Sequence, residues 1–155
     1  MTENKPAAES RFVYVTYIRA PAQTVWDYLT DPEQNKVFWG GYHQQSSWRK
    51  GAEYKILGAD GTVWDEGEVL AADPPRRLSV SWRHLVDEAM KAEGVSTASF
   101  DLEQQEDGVT KLTLVHTIAV ADSKFIVAVA GGWPMILSSL KSLLETGRPL
   151  AGGPS

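Results

Sequence analysis

One stretch of this chain, from a cap at Asp122 or Ser123 to about Thr146, is the only segment long enough to cover a sheet. Trp133, Ile136, Leu137, Leu140 and Leu144 fall along one stripe of it, at helical spacing. Gly147 and Pro149 end it, because a left-handed glycine closes a helix and a following proline cannot extend one. Inside it lie Gly131, Gly132 and Pro134. Pro134 has no N–H for the carbonyl of Ala130, so the helix is expected to kink or split there.

Everything upstream is short. Phe12 to Ile18 is rich in Val, Tyr and Thr, side chains that suit a pleated strand. Pro21 opens a helix over Ala22 to Thr30, with Val25, Trp26 and Leu29 on one face. Asp31-Pro32-Glu33-Gln34 reads as a cap, a first-position proline and a capping-box glutamine for a second short helix ending near Phe38. Strands follow at Tyr42–Trp48, Glu53–Leu57, Thr62–Ala72, Leu78–Leu85, Val95–Gln105 and Val109–Ala119. Asp60-Gly61 and Asp107-Gly108 are hairpin turns, and Asp73-Pro74-Pro75 stops a strand. A sheet of this kind needs its apolar face covered, and the last helix must cover it. The expected class is α+β: a curved antiparallel sheet of six to seven strands wrapped on a long C-terminal helix. Two short helices follow the first strand. Residues 11–147 make the single domain, with 1–10 and 148–155 as flexible tails.

Composition narrows the chemistry. The chain of 155 residues holds six Trp, three His and no Cys, so disulfides, thiolate nucleophiles and iron–sulfur clusters are excluded. A net charge of −5 argues against nucleic acid as a partner. His43, His84 and His116 are too far apart for metal spacing, and no metal or cofactor is expected. No nucleophile elbow is present, and Gly131-Gly132 does not lie at the strand–helix turn of a phosphate loop. The most apolar run, Phe125 to Leu137, is shorter than the roughly 20 residues of a membrane span. No leader is evident in Met1 to Arg11, so a cytoplasmic protein without a membrane span is the expectation.

Strand alternation then sorts side chains by face. Leu78, Val80, Trp82 and His84 share one face; Leu112, Leu114, His116 and Ile118 share another, with Phe100 and Leu102 between them. Both strand histidines thus point at the long helix, either as hydrogen-bonded core groups or as proton carriers. Asp65 turns inward if Val69 does, and otherwise sits in solvent near the strand end. Trp26 and Trp133, on helices, suit packing. Trp39, Trp48, Trp64 and Trp82 suit the walls of a space, because an indole offers an apolar face with one donor.

Four segments resemble the activator of heat-shock-protein-90 ATPase homologue-like family, within the START-like, helix-grip superfamily. They are Gly132 to Gly147; Ile18-Arg19-Ala20-Pro21 leading through Val25-Trp26 to Leu29–Glu33; Gly67–Leu70 leading through Asp73-Pro74-Pro75 to Leu78; and Leu112–His116. The resemblance implies a helix-grip fold with a deep cavity between sheet and C-terminal helix, used in the superfamily for lipids, sterols, polyketides and other hydrophobic molecules. It supplies no catalytic residue set.

The expected function is binding or carriage of a small hydrophobic molecule, aromatic or lipid-like. Its expected lining is Trp39, Trp64, Val80, Trp82, His84, Phe100, Leu114, His116, Trp133 and Leu137. The first alternative is a cyclase- or hydrolase-type enzyme in which two of His84, His116 and Asp65 reach one ligand and move protons. The second is a chaperone-associated stress-response protein.

Overall fold

The computed structural model describes residues 8–150. Where β-branched and aromatic residues alternate, strands form: β1 (Ser10–Ile18), β2 (His43–Ser46), β3 (Glu53–Leu57), β4 (Val63–Asp73), β5 (Arg77–His84), β6 (Val95–Gln104) and β7 (Thr110–Ile118). They build one antiparallel sheet in the order β1-β7-β6-β5-β4-β3-β2, so the first strand closes against the last and β2 forms the far edge. Helices α1 (Ala22–Thr30) and α2 (Pro32–Phe38) follow β1. A short α3 (Glu88–Ala92) lies between β5 and β6, and α4 (Lys124–Thr146) crosses the concave face.

Local chemistry sets the ends. The Asp31 carboxylate accepts the Glu33 N–H at 2.9 Å and caps α2, without the reciprocal bond expected from Gln34. Asp107 and Gly108 both take positive φ (58° and 71°), which suits a tight turn matched to the strand twist. Trp48 also has positive φ (59°), and β2 therefore stops short of it. Asp87 caps α3 by accepting the Met90 N–H at 3.0 Å; the sequence reading contained no such helix.

α4 neither splits nor ends at Pro134. It runs unbroken for 23 residues, from the Ser123 cap to Gly147 in the left-handed conformation. Gly131 is exposed and Pro134 half-buried, whereas Trp133, Ile136, Leu137 and Leu140 are buried against the sheet. Packing of that stripe holds the helix through the missing hydrogen bond. By length and composition α4 is also apolar enough to cross a membrane. Here its apolar stripe is occupied by the core, with Leu137 and Leu140 fully enclosed.

Two hydrogen-bonded contacts fix the backbone near the ends of the described residues. Ser10 belongs to β1; its hydroxyl donates to the Val120 carbonyl (2.6 Å) and accepts the Ser123 N–H (2.9 Å). At the other end the Leu150 N–H donates to Ser139 Oγ at 3.2 Å, folding residues 148–150 back on α4. The rest of the expected tails, residues 1–7 and 151–155, lies outside the described residues.

Candidate functional site

Two irregularities in β4 shape the site. Pairing runs Ile56↔Asp65 and then Leu57↔Val63, so Trp64 is an extra residue in the ladder. A bulge re-aims the side chain it carries. Trp64, on the opposite face from Asp65 by simple alternation, here joins Asp65 on the same cavity. Gly58 makes room for it, since a Cβ there would stand 2.7 Å from Trp64 Nε1. Lower on the strand, a Cβ on Gly67 would fall 1.8 Å from the Ser81 carbonyl oxygen, so β4 and β5 approach closely only because residue 67 is glycine.

That approach brings Asp65, Trp82 and His84 together. The Trp82 indole N–H donates to Asp65 Oδ1 at 2.7 Å, and His84 Nδ1 lies 2.9 Å from the same oxygen. Burial raises the Asp65 carboxyl above its ordinary range, against the pull of the hydrogen bonds from Trp82 and His84. His84 Nε2 is buried without a hydrogen-bond partner among the described residues. Leaving a buried polar atom unpaired costs about 1–3 kcal/mol, so such an atom calls for an explanation.

His116 is in a different position. Trp133 Nε1 donates to its Nδ1 at 3.0 Å, which forces the proton of the neutral ring onto Nε2. Nε2 then donates to Ser96 Oγ (2.8 Å), and the serine donates to the Trp82 carbonyl (2.9 Å). Burial lowers the His116 pKa to about 3, so it is neutral at physiological pH. Every polar atom of the ring is used, and His116 ties α4 to the sheet.

The cavity itself, about 220 Å³, lies at one end of the grip, between β3–β5 and the first half of α4. Trp39 and Tyr42 form one wall, Met90 of α3 another, and Phe125, Val129, Gly132, Trp133 and Ile136 the roof. Its rings touch in series. Trp39 and Trp82 both pack on Trp133 at 5.5 Å, Tyr42 packs on Trp64 at 5.7 Å, and Phe125 lies 6.1 Å from His84. A larger groove, about 820 Å³, runs past Pro21 and Arg77; there Arg77 is paired with Asp101 at 2.8 Å.

Of the residues expected to line a ligand site, Trp39, Trp64, Trp82, His84 and Trp133 meet here, with Asp65 beside them. Val80, Phe100, Leu114 and Leu137 do not line the cavity. They are buried in the solid core that fills the rest of the grip, and the space is small where a deep one was expected. His116 is likewise behind the wall. Trp48 packs on Tyr54 at 5.8 Å, away from the site. Sequence reasoning missed Tyr42, Ile56, Met90 and most of the roof. The roof residues Phe125, Val129, Gly132 and Ile136 continue the Trp133 stripe upward in steps of three and four, a signal that was available. No three His, Cys, Asp or Glu side chains among the described residues converge as a metal site.

A sheet gripping one helix, with a small aromatic cavity at one end of the grip, defines the class of domain. The sequence profile described as Activator of Hsp90 ATPase homolog 1-like protein matches residues 19–145, and the chain belongs to that family. Among solved structures, protein MLL2253 from Mesorhizobium loti is 25% identical (TM-score 0.75; 88% of this chain and 97% of that one). CalU16 from Micromonospora echinospora is 24% identical (TM-score 0.72; 94% and 83%). PFC0360w, an HSP90 activator from Plasmodium falciparum, is 16% identical (TM-score 0.70; 86% and 95%) and shares the fold. A search of the curated proteins gives no match.

Proposed function

We propose that this protein binds a small aromatic molecule, one or two rings in size, in the cavity under the first half of α4. The observation that carries this reading is the convergence of four indoles, Trp39, Trp64, Trp82 and Trp133, on one space with a single buried polar pair. Apolar walls with a few placed polar groups are the make-up of small-molecule sites. The volume of about 220 Å³ lies between the roughly 150 Å³ of a benzene-binding cavity and the roughly 300 Å³ where drug-sized sites begin.

Gly132 gives the test. It is helical, and a Cβ there meets only Ile136 Cδ1 at 4.0 Å. Gly132→Leu starts from a Cβ position with room and should direct its bulk into the cavity that Gly132 lines. Titration calorimetry with naphthalene-class compounds should show binding to the native chain, weakened at least about tenfold in the variant with thermal stability kept. No heat and no change in Trp fluorescence with any such compound on the native chain would sink the reading.

A second reading has one observation of its own: Asp65 and His84 lie 2.9 Å apart on the same cavity. A carboxylate that orients an imidazole is the arrangement of a general base. Turnover of a bound compound, lost in His84→Gln while binding persists, would favour that proton-transfer role. The chaperone reading rests on family name and shared fold alone.

A further inference from the structure

The polar pair says what chemical group the ligand carries. Asp65 Oδ1 accepts the Trp82 indole N–H at 2.7 Å and so presents a lone pair toward His84 as well, 2.9 Å away. The imidazole proton therefore sits on Nδ1. In the neutral ring Nε2 is left as a bare acceptor. His84 is only 9% exposed and lines the cavity, and Nε2 has no hydrogen-bond partner among the described residues. Two aromatic rings pack on His84, Trp64 at 6.4 Å and Phe125 at 6.1 Å.

From this geometry we infer that the cavity takes an aromatic ligand bearing a hydroxyl, a phenol or naphthol, whose O–H donates to His84 Nε2. Asp65 is the positioning residue: it holds the tautomer and the ring plane and does not touch the ligand. The inference rests on the small-aromatic-ligand reading above and adds the hydrogen bond that selects among such ligands. A site built around one buried acceptor discriminates against the isostere that leaves it unpaired.

The experiment compares 2-naphthol with 2-methylnaphthalene, nearly equal in shape, by titration calorimetry on the full chain. The native protein should bind the naphthol about tenfold more tightly or better. His84→Phe should bind both equally, and retained affinity for the hydrocarbon shows that the cavity is intact. Asp65→Leu should lose most of the preference although His84 is present. Asp65→Asn should keep it, because an amide oxygen at the Oδ1 position still accepts from Trp82 and from His84 Nδ1. Equal binding of the two compounds by the native chain would overturn the phenol assignment, Nε2 then being served by water, and would leave the cavity reading standing. Binding of neither would overturn both.

Discussion

His84 and His116 are the same residue type on the same face of one sheet, yet their neighbours give them opposite roles. His116 has a partner on each nitrogen, and burial lowers its pKa to about 3. A histidine kept neutral in the folded state but free to protonate when unfolded, at about 6.5, stabilises the fold above that value. The contribution is lost as pH falls from about 6.5 toward 3, at about 1.4 kcal/mol per unit and roughly 5 kcal/mol in all. Asp65 runs the other way: its raised carboxyl favours the fold below the ordinary carboxylate pKa, and that advantage fades as pH rises through the raised value. Urea titrations at pH 7, 5 and 4 should therefore show falling stability. Ring-nitrogen NMR should find His116 still neutral at pH 5, and a His116 titration near 6.5 would refute the account. Gly67 is the other decisive residue. Gly67→Ala places a Cβ 1.8 Å from the Ser81 oxygen, which is backbone and cannot swing aside. A loss of about 3 kcal/mol is expected in chemical denaturation, and a variant as stable as the native chain would mean that β4 and β5 are less closely apposed.

Among the elements, α4 shows how far packing overrides propensity. Two glycines and a proline inside a helix cost about 1 and 3 kcal/mol apiece relative to alanine. The helix survives because Trp133, Ile136, Leu137 and Leu140 are buried on the sheet. Gly131 is exposed and a Cβ there meets nothing within 4 Å, so Gly131→Ala should raise stability by about 0.5–1 kcal/mol. A lower melting temperature would show that Gly131 answers a need of the helix other than space. Boundaries signalled by local chemistry were legible in advance: the Pro32–Phe38 helix begins after Asp31, and α4 stops at Gly147. α3 was not, since five residues between strands are too few for a periodic signal.

In the molecule as a whole, the residue that follows α3 is hydrogen-bonded to the start of α4. Glu93 accepts from the Ser123 hydroxyl (2.5 Å), the Lys124 N–H (2.8 Å) and the Phe125 N–H (3.3 Å), placing a carboxylate on the positive end of α4. Met90 and Phe125, on either side of that joint, both line the cavity. Glu93→Ala should cost about 1 kcal/mol and speed amide exchange at 124–127. Unchanged protection there would show that the joint does not hold the roof. The order of the strands and of the other helices, the covering helix and the inward faces of β5 and β7 follow from sequence alone, because periodicity and caps are local properties of the chain. The cavity does not. Whether Asp65 is buried depends on the register of β3 against β4, and Trp64 reaches the site only through a bulge. His84 is left with a spare nitrogen while His116 is not, because Trp133 and Ser96, far apart in the chain, close on one ring and miss the other. Those are contacts between distant residues, and only the folded chain brings them within hydrogen-bond reach.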